Sequence, residues 1–165
     1  MRPTSDRVRE ATFNALASMG ALHGAVVLDL FCGSGALGIE ALSRGAGSAT
    51  FVDRHRPSIE AARENLAACG LTDRARVVLG DALDHVRDRP SHHDLVLLDP
   101  PYSFDGWPQL LEALDAETVV IESDRSVDVG PCWDVQRERR YGGTVVIIAS
   151  RAGSRSAPDP QESAK

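Results

Sequence analysis

The sequence predicts an α/β fold, a doubly wound and mostly parallel sheet with an antiparallel hairpin at one edge. Two observations carry this prediction. Short apolar, β-branched runs alternate with segments of helical periodicity, which is typical of right-handed strand–helix–strand units. Near the end of the chain, two strand-like runs flank Gly142 and Gly143 with no helix between them, as in a hairpin.

The first half of the chain supplies a leading helix and two strand–helix pairs. Apolar residues recur at helical spacing over 5–19, and Thr4 and Ser5 are N-cap candidates. A nearly unbroken apolar run and a glycine-rich turn follow it. The predicted elements then run in the order strand 25–31, helix 36–44, strand 48–53 and helix 57–70.

The second half repeats the alternation and ends in the hairpin. The predicted elements are strand 75–80, helix 81–88, strand 94–99, helix 106–114, strand 118–123 and hairpin 133–150. Residues 151–165 are small, polar and proline-bearing, so this tail is predicted to be disordered. We therefore predict a single domain over residues 1–150.

The composition limits which classes of protein this chain can belong to. With 165 residues, 42% of them hydrophobic, the chain can bury one substantial core, and no apolar run approaches the roughly 20 residues of a membrane span. Three scattered cysteines and no signal peptide indicate a cytoplasmic protein. His92 and His93 are predicted to lie in a solvated loop, and no metal site is expected. A monomer is the default expectation.

Net charge argues weakly against binding nucleic acid by bulk attraction, since it is −6. Arginines nevertheless cluster at two places, and each cluster is either a solvated face or a local contact surface. The clusters are Arg2, Arg7 and Arg9 near the start, and Arg137, Arg139 and Arg140 near the end.

A glycine turn follows the first predicted strand and indicates a ligand. Gly33, Gly35 and Gly38 fit G-x-G-x-x-G, and Asp53 lies 20 residues beyond Gly33 at the end of the second strand. Such glycines let a ligand approach the backbone, and such an acid accepts both hydroxyls of an adenosine ribose. NAD and S-adenosylmethionine both carry that ribose, so this pattern alone leaves both open.

Two further carboxylates favour S-adenosylmethionine. Asp29 lies just before the turn, where it would face a positively charged amino-acid group but would repel a pyrophosphate. Asp81, in "GDA", is placed to hold the adenine amine, and it also fits an N-cap. The predicted cofactor-binding residues are Asp29, Phe31, Gly33, Ser34, Gly35, Asp53, Arg54, Asp81, Ala82 and Asp99.

Four segments in this order, "DLFCGSGALGIEAL", "FVD", "GDA" and "DPPY", resemble those of Rossmann-like class I S-adenosylmethionine-dependent methyltransferases that methylate amino groups. The opening "RPTSDRVREATFNAL" further resembles the segment before the first strand in bacterial methyltransferases that modify guanine N2 in small-subunit ribosomal RNA. The likeness covers roughly residues 2–149. It implies S-adenosylmethionine as cofactor and rRNA as partner, within a partly assembled small subunit, with guanine 966 of 16S rRNA as the expected target.

The resemblance also implies roles for Asp99, Pro100, Pro101 and Tyr102. An exocyclic amine is a poor nucleophile, because its lone pair is delocalised into the ring. The Asp99 carboxylate and the Pro100 carbonyl would accept its two N–H groups and aim the lone pair at the methyl group, and Tyr102 would stack on the base or fill the core. Predicted catalytic residues are Asp99, Pro100 and Tyr102; predicted RNA contacts are Arg2, Thr4, Arg7, Pro101 and Tyr102.

One departure from the family pattern concerns the start of the chain. The resemblance implies a basic, glycine-rich β-hairpin before the R-P-T segment, whereas this sequence opens with Met1 at Arg2. We therefore expect an intact cofactor site and weak methylation of isolated RNA by this chain. Restoring a basic extension tests that expectation.

Four alternatives stay open. A DNA adenine-N6 methyltransferase uses the same D-P-P-Y corner, but it usually adds a target-recognition domain. A protein glutamine methyltransferase usually has asparagine where Asp99 stands. A nicotinamide-dependent oxidoreductase explains the glycine turn and leaves D-P-P-Y unexplained. A non-catalytic RNA-binding module is the fourth.

Overall fold

A computed structural model describes residues 3–153, and it describes side chains from Asp6 onward. Five helices and seven strands alternate along this part of the chain, with a short 3-10 turn at Thr72–Arg74. The helices are α1 (Pro3–Ser18), α2 (Ala36–Ser43), α3 (Arg56–Ala68), α4 (Ala82–Asp88) and α5 (Trp107–Ala113). The strands are β1 (Val26–Leu30), β2 (Ser48–Asp53), β3 (Ala75–Leu79), β4 (His93–Leu98), β5 (Ala116–Ser123), β6 (Trp133–Tyr141) and β7 (Thr144–Arg151).

The seven strands form one sheet in the order β3-β2-β1-β4-β5-β7-β6. Strands β1 to β5 are parallel, whereas β7 pairs antiparallel with both β5 and β6. The predicted doubly wound, mostly parallel sheet with a terminal hairpin is therefore confirmed. The chain fills the sheet outward from β1 in one direction and then returns to place β4 beside β1, so the strand order reverses between β1 and β4.

Helices cover both faces of the sheet. Buried side chains of α1, α2 and α3 pack on one face, together with Val27 of β1 and Leu97 of β4. Those of α4 and α5 pack on the other face, against Leu28 and Leu98. Successive strand residues therefore point to opposite cores, which explains why these runs are almost continuously apolar.

The glycine at position 38 lets α2 approach the sheet. A Cβ atom added to Gly38 would lie 2.3 Å from Cε1 of Phe51 and 3.0 Å from Oδ2 of Asp29. Phe51 is fully buried in β2, so it has little freedom to move. The third glycine of the G-x-G-x-x-G pattern thus has a packing role.

Several predicted boundaries need correction. Helix α1 begins at Pro3, so Thr4 and Ser5 lie inside its first turn and do not precede it. His93 is not in a solvated loop: it begins β4 and is buried, because β4 starts one residue earlier than predicted. Asp99 follows β4 and is not its last residue.

Some predictions fall outside the described residues. The predicted disordered tail begins at residue 151, but Arg151 ends β7 and residues 152–153 form a turn, so that boundary is wrong. Disorder of residues 154–165 and the RNA contact of Arg2 lie outside the described residues, and for Thr4 only the backbone is described. Within residues 3–153, no helix has the length and apolar character of a membrane span.

Candidate active site

The ends of β1 and β4 meet at the point where strand order reverses. Leu30 pairs with Leu98, so the next residues, Phe31 and Asp99, are neighbours. A cavity of about 660 Å³ opens there, at the carboxyl edge of the parallel strands. Its lining residues are Phe31, Val52, Asp53, Arg54, His55, Gly80, Asp81, Ala82, Asp99, Pro100, Pro101, Ser103 and Phe104.

The glycine turn lies beside this cavity and is tied to the tip of β2. Gly33 and Gly35 have φ values of 54° and 89°, which glycine adopts without strain. The Gly33 N–H donates to Oδ2 of Asp53 at 2.9 Å, and the His55 N–H donates to Oδ1 at 2.9 Å. Asp53 therefore holds two loops in place and still presents lone pairs to the cavity.

Phe31 has the only left-handed backbone among the non-glycine residues of the described chain, with φ of 57°. This conformation is uncommon for a bulky residue and turns the chain sharply out of β1. The ring of Phe31 meets that of Phe104 edge-on, with centroids 5.1 Å apart, and Phe104 meets Trp107 in the same way. The turn thus places an aromatic wall in the cavity.

Asp29 lies beneath the glycine turn and does not line the cavity. It is 1% exposed; Oδ2 accepts the Gly38 N–H at 2.9 Å, and Oδ1 has no hydrogen-bond partner within the described chain. Burial raises the pKa of Asp29 to about 8, opposed by the Gly38 hydrogen bond and assisted by the charges of Asp99 and Asp53. A buried carboxyl group with an unused acceptor would gain from a cation placed close to it, above the turn.

At the exit of β3, Asp81 both caps α4 and faces the cavity. Its Oδ1 accepts the Asp84 N–H at 3.0 Å, which confirms the N-cap interpretation. Ala82 begins the helix, and both residues line the cavity. The cap orients the Asp81 carboxylate, so its structural role is compatible with a ligand contact.

The D-P-P-Y corner forms the rim of the cavity opposite Asp81. Asp99 and Pro100 each precede a proline, which biases both towards extended backbone. The Phe104 N–H donates to the Pro101 carbonyl at 2.9 Å, and the Arg125 guanidinium donates to the Tyr102 carbonyl at 2.7 Å. Tyr102 is 53% exposed, so it is not a core aromatic residue.

Glu122, near the end of β5, extends this edge beyond Asp99. Leu98 pairs with Ile121, so Asp99 and Glu122 follow paired residues on neighbouring strands. Asp99 is exposed to solvent on one side. Desolvation by the surrounding protein atoms and, as a smaller cause, the charge of Glu122 raise its pKa to about 7. Burial also raises the pKa of Glu122. Two carboxyl groups therefore share this corner with a reduced tendency to ionise together.

The structure brings most predicted site residues together. Phe31, Asp53, Arg54, Asp81, Ala82, Asp99, Pro100 and Pro101 line the cavity; Gly33, Ser34 and Gly35 form the adjoining turn, and Tyr102 lies at the rim. Arg7 is an exposed residue of α1. No group of three or more metal-ligating side chains occurs within residues 3–153.

Some residues at the site were not predicted from the sequence. His55, Ser103 and Phe104 line the cavity, and Glu122 adjoins Asp99. An aromatic residue two positions after D-P-P-Y was a usable signal for Phe104. A carboxylate near the end of the fifth strand was the corresponding signal for Glu122, since strand ends on one edge lie together.

Comparison with known proteins finds relatives both in sequence and in structure. The chain is 36% identical over 161 residues to the ribosomal RNA small subunit methyltransferase D of Escherichia coli, covering 92% of this chain and 80% of that protein. The solved structure of yhhF from Escherichia coli is 34% identical, with a TM-score of 0.81 and coverage of 92% and 88%.

A more distant structure shows how widely the fold is shared. Magnesium protoporphyrin IX methyltransferase ChlM from Synechocystis PCC 6803, solved with SAM bound, has a TM-score of 0.72 at 16% identity, covering 90% of this chain and 80% of that one. At that identity the likeness concerns the fold alone. With its class I methyltransferase fold, and with residues 1–150 matching the model described as Conserved hypothetical protein 95, the chain belongs to that family.

Proposed function

We propose that this protein transfers a methyl group from S-adenosylmethionine to the exocyclic N2 of a guanine in small-subunit rRNA, with guanine 966 of 16S rRNA as the expected position. The rRNA methyltransferase relative supports methyl transfer to rRNA. The single observation that carries the finer proposal is the D-P-P-Y corner on the rim of a cavity next to the glycine turn.

The residues of the cavity fit the cofactor. Asp53 would accept hydrogen bonds from the ribose hydroxyls, and Asp81 would accept one from the adenine amine. The apolar wall of Phe31 and Phe104 would contact the adenine ring. The unpartnered Oδ1 of Asp29 complements the cofactor's ammonium group from below the turn. When bound, S-adenosylmethionine supplies an electrophilic methyl group on a sulfonium.

Asp99 and Pro100 position the nucleophile. The Asp99 carboxylate and the Pro100 carbonyl each accept one N–H of the guanine amine, which favours a pyramidal nitrogen with its lone pair free. Because proline fixes φ near −65°, the carbonyl acceptor is held in place before the substrate arrives. Such alignment lowers the barrier by several kcal/mol in well-oriented reactions.

Glu122 distinguishes guanine from adenine in this scheme. Phe31, Asp53 and Asp81, which are assigned to the cofactor, lie at the ends of β1, β2 and β3. Glu122 on β5 therefore lies on the opposite side of Asp99, towards the substrate. Guanine carries an N1–H donor next to its N2 amine, whereas the N1 atom of adenine is an acceptor. The ionised form of Glu122 accepts the guanine N1–H and repels the adenine lone pair, and the N1–H donor itself favours that ionised form.

Tyr102 and Asp99 complete the chemistry. The exposed Tyr102 ring stacks on the extruded base, and the hydrogen bond from the Arg125 guanidinium to the Tyr102 carbonyl holds this segment in place. As the nitrogen–methyl bond forms and the sulfur–methyl bond breaks, the nitrogen loses a proton to Asp99 or to water. Asp99 is a positioning acceptor first and a base second.

The test is transfer of labelled methyl groups to four substrates: assembled small subunits, deproteinised rRNA, DNA and protein. Nucleoside analysis identifies the product, and we expect N2-methylguanosine from assembled subunits. Asp99→Ala is the inactive control, and it should still bind S-adenosylhomocysteine by calorimetry. N6-methyladenine in DNA, or a methylated glutamine in protein, as the main product would overturn the proposal. Tight binding of NAD without S-adenosylhomocysteine binding would overturn the choice of cofactor.

A further inference from the structure

A groove of about 620 Å³ runs between α1 and the edge strand β6, outside the candidate active site. Helix α1 and strand β6 supply its walls. Its polar and basic side chains are Asn14 and Ser18 from α1 and Gln136, Arg137 and Arg139 from β6, and Ala11, Ala15 and Met19 complete the lining.

The register of β6 turns two arginines towards this groove. Arg137 pairs with Ile148 and Arg139 with Val146, and both partners belong to the core on the α1 side of the sheet. Cross-strand partners share a face, so both arginines point to the α1 side. Arg140 pairs with a residue of the opposite core and points away. A register shift between residues 135 and 137 places Gln136 in the groove as well.

The same register connects the groove to the active site. Arg139 pairs with Val146, which in turn pairs with Glu122 on β5. Neighbouring strands lie about 4.8 Å apart, so the backbones at Arg139 and Glu122 are roughly 10 Å apart. Because Glu122 adjoins Asp99 on the side away from the cofactor-binding residues, the groove opens on the substrate side of the D-P-P-Y corner.

Helix α1 adds a third arginine at the active-site end. The end of α1 lies near the amino ends of β4 and β5, because Met19, which directly follows the helix, shares a pocket with Asp94 and Glu117. The start of α1 therefore points to the catalytic edge of the sheet. Arg7 lies one turn before Ala11, which lines the groove, so its exposed side chain continues the same face of the helix.

These three arginines carry charge that no acid neutralises. Within residues 3–153, Arg7, Arg137 and Arg139 have no carboxylate at ion-pair distance, whereas Arg9 on the neighbouring face of α1 pairs with Asp6. Arg139 donates only to the carbonyl oxygen of its neighbour in the chain. Arginines without a paired carboxylate attract anions even on a protein of net charge −6, and here two of them line one groove.

We propose that the groove between α1 and β6 holds the RNA backbone next to the target guanine, with Arg137 and Arg139 contacting phosphates and Arg7 guiding the strand into the active site. This inference rests on the proposed function. Arg137 and Arg139 alternate on one face of the strand, so their Cα atoms are about 6.8 Å apart, a spacing that suits neighbouring phosphates of a single strand.

The test compares Arg137→Gln/Arg139→Gln with Arg140→Gln, a matched control on the opposite face of β6. Binding to assembled small subunits is measured at several salt concentrations, with methyl transfer and S-adenosylhomocysteine binding in parallel. Each lost phosphate contact on a single strand lowers the slope of log K against log salt by about 0.7, so the double variant should lose about 1.4. For the double variant we expect a higher KM, an unchanged kcat and unchanged S-adenosylhomocysteine binding. Arg140→Gln should match wild type in all three.

A crosslink distinguishes RNA from a protein partner. The photoreactive variant Arg139→p-benzoylphenylalanine should crosslink to rRNA in small-subunit particles. Crosslinks to ribosomal protein alone, an unchanged salt slope in the double variant, or an equal loss in Arg140→Gln would each overturn the inference while leaving the proposed function standing. A wild-type protein that methylates no rRNA would overturn both.

Discussion

The backbone N–H of Gly33 donates a 2.9 Å hydrogen bond to the carboxylate of Asp53, joining the turn after β1 to the tip of β2. A second backbone donor, the His55 N–H, occupies the other carboxylate oxygen at 2.9 Å. The residue that the proposal assigns to the cofactor ribose is therefore also the support of the loop that contains the glycines.

Replacing Asp53 should consequently affect binding and stability together. Asp53→Ala leaves two backbone donors without their acceptor. The Gly33 N–H is partly buried and the His55 N–H is exposed, so the cost should lie below the roughly 1–3 kcal/mol of a fully buried unpaired group. We expect a lower melting temperature and weaker S-adenosylhomocysteine binding. Asp53→Asn retains one acceptor oxygen and should lie between Asp53→Ala and wild type. An unchanged dissociation constant in Asp53→Ala would remove the ribose assignment.

Substitutions in the D-P-P-Y corner should reduce turnover far more than they weaken cofactor binding. Asp99→Ala removes an acceptor for the reacting amine, and by analogy with lost transition-state hydrogen bonds the rate should fall by about 100-fold or more. Tyr102→Ala removes a stacking contact of about 1–3 kcal/mol, and Tyr102→Phe, which keeps the ring, is its control. Steady-state kinetics and calorimetry on the same preparations measure both effects. Unchanged turnover in Asp99→Ala and Tyr102→Ala would refute the assigned roles.

Glu122 allows a test of base recognition by exchanging hydrogen-bond donors and acceptors. 2-Aminopurine keeps the exocyclic amine of guanine but has an acceptor at N1, so wild type should methylate subunits carrying it at the target position much more slowly. Glu122→Gln can donate to that N1, and we expect it to narrow the difference between the two bases by at least tenfold. Glu117→Gln, on the opposite end of β5, is the control. Equal discrimination in wild type and Glu122→Gln would show that Glu122 does not read N1.

Asp29 should couple cofactor binding to proton release. Its pKa of about 8 means that the group is mostly protonated at pH 7 in the free protein. A nearby ammonium group favours the carboxylate and lowers that pKa, so S-adenosylhomocysteine binding at pH 7 should release protons, and release should vanish well above pH 8. Calorimetry in buffers of different ionisation enthalpy measures the effect. Release that persists in Asp29→Asn would assign it to another group.

Gly38→Ala should destabilise the fold without touching the cavity. Its new methyl group would meet the buried Phe51 ring at 2.3 Å, and overpacking of this kind typically costs about 1–3 kcal/mol. Gly143→Ala is the control, because a Cβ there meets nothing within 4 Å and the backbone needs no positive φ. Urea unfolding of both variants gives the comparison. Equal stability of the two would mean that α2 moves away from β2 at little cost.

Much of the sheet could be predicted from the sequence because each parallel strand is a short apolar run covered on both faces. The runs at β1, β2 and β4 were located to within a residue or two, and the glycine turn followed from its spacing. The position of β7 inside the sheet was not predicted. The apolar "TVVIIAS" against the polar "WDVQRERRY" was the available signal, since only an inner strand is buried on both faces.

The site could be predicted only in part, because a sequence motif identifies residues but does not show which groups they hydrogen-bond or contact. Asp53 and Asp81 were identified from their positions at strand ends, but their bonds to Gly33 and Asp84 depend on loop geometry. The left-handed backbone of Phe31 has no sequence signal, because it results from tertiary constraints. Glu122 was missed because its role depends on which strand lies next to β4.

The position of β7 has a consequence for how the enzyme is made. This strand pairs with β5 on one side and carries β6 on the other, yet it is synthesised after both. Until the ribosome has released residues 144–151, β5 has an open edge next to Glu122, and the arginines of β6 have no sheet to join. A nascent chain that has already completed its glycine turn therefore still lacks the surface proposed to hold RNA, so substrate binding should begin only after β7 has been translated.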